Sequence, residues 1–165
     1  MWYCVKAISY NPIGVIHSPF IEAINVPIQA SVAKGIKGTV EVYAEYAEGL
    51  TDLDGFSHII LLYHLNLIKS APLMVKPFLD DNLHGVFATR SPARPNPIGI
   101  SIVRLTKIIK NTLQVEDLDI VDGTPLLDIK PYVPKFDNRR TNKIGWFNRN
   151  INKLENARDD GRFCK

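Results

Sequence analysis

Residues 98–109 read Ile-Gly-Ile-Ser-Ile-Val-Arg-Leu-Thr-Lys-Ile-Ile, a run dense in the β-branched side chains that pack well on a pleated sheet. The turn-like Lys110-Asn111 follows, and Leu113-Gln-Val-Glu-Asp-Leu118 resumes as a second strand. Working outward, Gly38-Thr-Val-Glu-Val-Tyr43 alternates with the period-two pattern of a half-buried strand. Pro12 to His17 is a short apolar run stopped by Ser18-Pro19, and His58 to Leu65 is a largely apolar run fit for a central strand. Ile120, Leu126, Leu127, Ile129 and Tyr132 supply further strand around the turn Asp122-Gly123. Only Ala44–Leu50 and roughly 148–157 read as helical. Many short strands separated by Gly/Pro turns predict a mainly β chain, a barrel or sandwich with few short helices. One compact domain is expected over residues 1–138. A basic, partly helical tail over 139–165 is expected to pack on it or extend from it.

Composition frames the rest. With 165 residues, 45% hydrophobic and 22% charged, the chain fits one globular domain burying about two-thirds of its unfolded surface. No run approaches a transmembrane span, and Met1-Trp-Tyr-Cys-Val-Lys6 lacks the build of a signal peptide, so a cytoplasmic protein is expected. Cys4 and Cys164 stand at opposite ends; two free thiols in a reducing compartment are expected, with a Cys4–Cys164 pairing left open. The net charge of +3 is uneven. Residues 139–165 carry eight Lys/Arg against three Asp/Glu, a balance of +5, while the other residues sum to −2. A basic tail holding Trp146 and Phe147 suits contact with a polyanion such as RNA, and equally suits a terminal helix with a solvated basic face.

The stretch Gly85-Val-Phe-Ala-Thr-Arg90-Ser-Pro-Ala-Arg94-Pro-Asn96-Pro-Ile-Gly99-Ile-Ser101 is the most telling for function. Pro92, Pro95 and Pro97 fix φ and remove three backbone donors, so the segment is a stiff loop. Mounted on it, Arg90 and Arg94 present guanidinium forks suited to a carboxylate, a phosphate or a nucleotide.

A second polar constellation spans Asp117 to Pro134. In an extended chain Asp117 and Asp119 share a face, as do Asp128 and Lys130. Such a wall offers carboxylates to ribose hydroxyls, an amine or a sulfonium, and a proton acceptor. Other signatures are missing: GxGxxG after a strand, GxxxxGK[ST], HExxH, paired CxxC motifs and GxSxG do not occur. No metal site is expected, and His17, His58, His64 and His84 read as core or edge residues beside apolar runs.

In order along the chain come Ile13-Gly-Val-Ile-His17-Ser-Pro-Phe20, Pro27-x-Gln29, Gly55-Phe-Ser-His58, the Thr89-Arg-Ser-x-x-Arg-Pro-Asn-Pro-Ile-Gly99 loop and Asp119-x-Val-Asp-Gly-Thr-Pro-x-x-Asp-Ile-Lys-Pro-Tyr132. Over residues 10–137 this series resembles the TsaA-like, or TrmO, family. The resemblance implies a β-barrel, S-adenosylmethionine as cofactor, a homodimer with the cofactor near the subunit interface, and N6-methylation of threonylcarbamoyl-adenosine beside the anticodon of tRNA. Carried over by position, the cofactor site would comprise Gln29, Ala30, Ser31, His64, Leu65, Arg90, Ile100, Asp117, Leu118 and Asp119. Bacterial members continue into a further C-terminal domain, so the tail of this chain is expected to take over part of the grip on tRNA.

The implied chemistry assigns the remaining polar residues. The urea-like acceptor nitrogen is a poor nucleophile until its proton is lost, which calls for a base. Asp128 and Asp122 are the carboxylate candidates, with Tyr132 and Lys130 orienting them. Arg94 and Asn96 are expected to hold the threonyl carboxylate or a phosphate of the substrate. A binding module without catalysis, and a methyltransferase for another acceptor, are the alternative readings.

Overall fold

The computed structural model describes residues 7–164. Its strands are β1 (Gly14–His17), β2 (Lys37–Val42), β3 (His58–His64), β4 (Met74–Val75), β5 (His84–Gly85), β6 (Ile98–Ile109), β7 (Thr112–Glu116) and β8 (Thr124–Pro131). Six of them close into an antiparallel barrel in the order β1-β2-β7-β6-β3-β8, and β4 pairs with β5 in a separate ribbon. Mainly β, barrel and few short helices are therefore all observed.

Period-two alternation explains the barrel wall. Along β6 the residues Gly99, Ser101, Val103 and Leu105 turn inward and are buried, while Ile98, Ile100 and Ile102 face outward. Ile59, Leu61 and Tyr63 of β3 alternate in the same way. Ile16, Val40, Leu113, Val115, Leu118 and Leu126 complete a core in which each is essentially inaccessible to solvent. Each such side chain contributes about 1.5–3 kcal/mol by leaving water. Lys110, at φ 56°, turns β6 into β7, and the Asn111 side-chain amide donates to the Val42 carbonyl at 2.7 Å, tying the hairpin to β2. The seam between β1 and β8 is short: Gly14, Val15 and Ile16 face Leu126, Pro125 and Thr124, and Pro125 has no N–H to give.

Two local expectations change form. Ala44–Leu50 is helical as expected, in the tighter 3-10 form. The tail forms one α-helical turn, α2 (Phe147–Asn150), and then a 3-10 helix over Ile151–Asn156; a turn of the same length, α1 (Pro134–Asp137), precedes it. β4 and β5, at two residues each, are too brief for periodicity to register.

Residues 139–164 return across the barrel. The Trp146 indole N–H donates to the Ala88 carbonyl at 2.8 Å, and its ring stacks on His84 at 4.5 Å. The Asn25 amide donates to the Asp159 carbonyl at 2.8 Å, and the Asp159 amide to the Val26 carbonyl at 2.9 Å. Phe163 meets Phe78 edge to face at 5.2 Å. A Cys4–Cys164 pairing lies outside the described residues.

Candidate active site at the barrel mouth

Proline spacing makes the loop before β6 stiff, and short side chains lock it. The Thr89 hydroxyl donates to the Val86 carbonyl at 2.8 Å and accepts from the Ser91 amide at 3.2 Å; Ser91 Oγ in turn accepts from the Ala93 amide. Thr89 and Ser91 are buried, so this bracing is internal. Arg90 projects from it, and its Nη1 donates to Gln29 Oε1 at 2.7 Å, while Gln29 Nε2 donates to the Ile28 carbonyl. Arg94 turns back instead. Its Nη1 donates to the carbonyls of Thr89, Val86 and Ser91, so much of this guanidinium holds its own loop. Asn96 is exposed, and its carbonyl accepts from the Ile98 amide at 2.8 Å.

Asp119 stands at the centre. One carboxylate oxygen accepts from the Ser101 hydroxyl at 2.6 Å, and Ser101 shares a further hydrogen bond with the Tyr63 hydroxyl at 3.0 Å. Tyr63 faces Gly99 across the β3–β6 register, and a Cβ at Gly99 would overlap its ring. Gly99 is thus the residue that lets Tyr63 reach the Ser101–Asp119 pair. Burial pushes Asp119 up from 3.8 to about 6, against the Ser101 and Ala30 hydrogen bonds and the nearby Arg90 charge that favour its ionised form. Burial, reinforced by the Asp119 charge, raises the Tyr63 hydroxyl beyond the normal phenol range.

These groups open onto a cavity of about 770 Å³, within the span of small-molecule sites. Gln29, Ser31, Leu65, Arg90, Ile100 and Asp119 line it, as does Arg94. The tail supplies a further wall through Ile144, Trp146, Phe147 and Ile151, together with Asp159, whose carboxyl burial also pushes above its usual value. The lining suits a ligand carrying a cation and a nucleoside: two carboxylates, two guanidinium groups of which Arg94 is largely held by its own loop, an amide and apolar walls. S-adenosylmethionine, with its ammonium, sulfonium and adenosyl parts, fits that description.

Other residues named from sequence fall elsewhere. Ala30 contributes its amide to Asp119 but is not among the lining side chains. His64 ends β3 at the surface. Leu118 is wholly inside the core. Asp117 does not share a face with Asp119, because its φ of 67° swings it out of the extended run, and its carboxylate accepts from the Gly35 amide at 2.7 Å. Asp122 sits between the lining residues Val121 and Thr124 and accepts from the Ser18 amide at 3.0 Å, beside His17 Nδ1 at 3.3 Å. Asp128 and Lys130 do share a face, as an ion pair of 2.7 Å. They are not at the cavity, however: β8 starts there with Thr124, whereas Asp128 lines a second cleft with Glu45, Tyr46 and Pro131. Tyr132 donates to Asn138 Oδ1 at 2.8 Å. Sequence reasoning missed Ser101, Tyr63 and the tail wall. The signal for the first two was the inward register of β6 opposite β3.

The fold is a closed six-stranded barrel, and the lining of its cavity suits a small cationic, nucleoside-like ligand. Residues 15–138 match the family model for the N-terminal domain of tRNA-methyltransferase O, and the chain belongs to that methyltransferase family. It is 62% identical over 156 residues to a Pyrococcus abyssi protein named "Probable S-adenosyl-L-methionine-binding protein", with 94% of this chain and 85% of the relative covered. It is 39% identical to the tRNA (adenine(37)-N6)-methyltransferase of Escherichia coli, covering 79% of this chain and 60% of that protein. A crystal structure of TrmO from P. aeruginosa superposes with a TM-score of 0.74 at 35% identity, over 88% of this chain and 63% of that one. The chain thus spans under two-thirds of these two bacterial proteins.

Proposed function

We propose that the protein transfers a methyl group from S-adenosylmethionine to N6 of threonylcarbamoyl-adenosine beside the anticodon of tRNA, in the cytoplasm. The observation that carries this reading is the Asp119–Ser101–Tyr63 network opening, with the Arg90–Gln29 pair, onto a single 770 Å³ cavity. The bound cofactor supplies an electrophilic methyl on a sulfonium centre whose positive charge disappears on transfer. Asp119, held by Ser101 and the Ala30 amide, orients a cationic or hydroxyl part of that ligand without moving. Arg90, braced by Gln29 and its proline-stiffened loop, fixes an anionic or acceptor part. Alignment of this kind contributes several kcal/mol, since in-line displacement depends on geometry more than on acid–base strength. Ser31, Leu65 and Ile100 exclude water from the ligand's apolar surface. The acceptor's proton passes to solvent water in this reading, since Asp122 holds the Ser18 amide beside His17 and does not line the cavity, and Arg94 and Asn96 meet the threonyl carboxylate or a phosphate with their remaining donors.

A second copy of the chain is part of the proposal. Ile98 and Ile100, at the cavity's edge, are 44% and 55% exposed on the outer face of β6, and Phe87 of the preceding loop is 75% exposed, an apolar patch continuous with the cavity that a homodimer would cover. Sedimentation at rising concentration tests it; a monomer throughout rejects it. Among the described residues no helix is long and apolar enough to cross a membrane.

The deciding experiment is methyl transfer from labelled S-adenosylmethionine to two tRNA pools, one bearing threonylcarbamoyl-adenosine and one not. Label confined to the modified pool is the expected result. Label in the unmodified pool assigns a different acceptor, and calorimetric binding of the cofactor with label in neither pool assigns a binding module.

A further inference from the structure

His84, Trp146 and Phe147 form a three-ring stack, with centroids 4.5 Å apart across the first pair and 3.8 Å across the second. The outer end is anchored: His84 lies 3.2 Å from Asp80, Asn150 donates to the same Asp80 oxygen, and the Trp146 indole holds the Ala88 carbonyl. The inner end is not covered by another ring. Phe147 is half-buried and lines the cavity that Asp119 and Arg90 also line. In the same tail segment Arg140, Lys143 and Arg149 are exposed, and among the described residues the tail's ion pair is Arg162–Asp160, which leaves these three without a carboxylate partner. A rigid aromatic end-face in a cavity wall, on a segment that also carries exposed unpaired cations, is the combination that holds an unstacked base of a single-stranded nucleic acid.

The geometry points to Phe147 as the stacking platform for the acceptor purine of an RNA loop, with Arg140, Lys143 and Arg149 on the flanking phosphates. This rests on the proposed methyl transfer to tRNA and extends it to residues outside the matched span of 15–138. A base swung out of its loop needs something to replace its missing stacking. Phe147 supplies that replacement already ordered, because Trp146 and His84 hold it from behind. The occupant is a purine of the RNA rather than the cofactor's adenine, because the segment that carries Phe147 also carries three exposed cations free to meet phosphates.

The probe is an anticodon stem-loop RNA carrying threonylcarbamoyl-adenosine. Its binding is measured by filter retention without cofactor, and by quenching of Trp146 emission in a Trp2→Phe background. Phe147→Leu keeps the apolar fill and removes the ring. It should weaken RNA binding by between about five- and a hundredfold, the range for losing one stacked base. Phe147→Tyr should restore it, and calorimetric affinity for S-adenosylmethionine should stay within about twofold in both. Unchanged RNA binding in Phe147→Leu, with an unaltered melting curve, overturns the assignment. A parallel loss of cofactor affinity also overturns it, placing the cofactor's adenine on the ring. Wild-type protein that binds the RNA with the expected Phe147 dependence yet transfers no methyl overturns the catalytic reading and leaves the platform standing.

Discussion

Replacing Asp119 by Asn should destabilise the ligand-free protein at acid pH, lose most of that penalty by neutral pH, and destroy cofactor affinity. The carboxyl titrates near 3.8 in the unfolded chain and at about 6 in the barrel mouth. Between those values the native state binds the extra proton, so wild-type stability is fullest below pH 3.8 and falls as pH rises through 6. At about 1.4 kcal/mol per pH unit, that interval corresponds to a loss of up to about 3 kcal/mol by pH 7. Asn cannot titrate. Its constant cost is a weakened hydrogen bond from Ser101 or Ala30, about 1–3 kcal/mol at every pH. The stability difference, variant minus wild type, should therefore climb by up to about 3 kcal/mol between pH 4 and pH 7.5. Urea unfolding followed by circular dichroism at four pH values measures it. Cofactor added at a hundredfold over its Kd should stabilise wild type by about 2.7 kcal/mol and the variant by nothing. A difference that stays flat with pH would show that Asp119 is not destabilised by burial, and the argument for a poised cation site would fall.

Other outcomes follow from neighbouring groups. Gly99→Ala drives a Cβ into the Tyr63 ring and should cost about 1–3 kcal/mol by overpacking, with Tyr63→Leu in the same chain recovering most of it; denaturant midpoints check both. Asp128→Asn should leave the single-turnover methyl-transfer rate unchanged, because Asp128 pairs with Lys130 at the second cleft, and a rate reduced tenfold or more refutes that placement. Changing Arg140, Lys143 and Arg149 together to Gln should weaken tRNA binding and flatten its dependence on salt, by about 0.7 in log–log slope for each phosphate no longer neutralised. An unaltered slope removes the tail from RNA binding.

The barrel strands were legible from different signals: alternation in β2, β-branched density in β6, and apolar runs bounded by turn residues in β1 and β3. The ribbon of β4 and β5 was not, since two residues cannot display a period. Four aspartates between 117 and 128 look alike in sequence. Only the turn at Asp117, the inward register of Ser101 and the direction of β8 separate the one in the cavity mouth from those at the surface or the second cleft. Likewise, the tail holding Trp146 and Phe147 read as an RNA contact or as a helix with a solvated basic face, and its place in the cavity wall depends on chain far away in sequence. Tertiary placement decides such cases, and local pattern carries no trace of it.

The β1–β8 seam has kinetic meaning. It joins residues over a hundred positions apart through three pairs, one of them a proline, so closing it demands a large loop entropy for little hydrogen bonding. It is the place where the closed barrel is easiest to unzip, and Thr124 puts one lip of that opening on the cavity. Breathing there would bare two strand edges at once, the surface on which chains pair with one another. A ligand resting against Thr124 and Asp119 would then act as a clasp, and slower amide exchange along Gly14–Ile16 would register its arrival at a distance from every atom it touches.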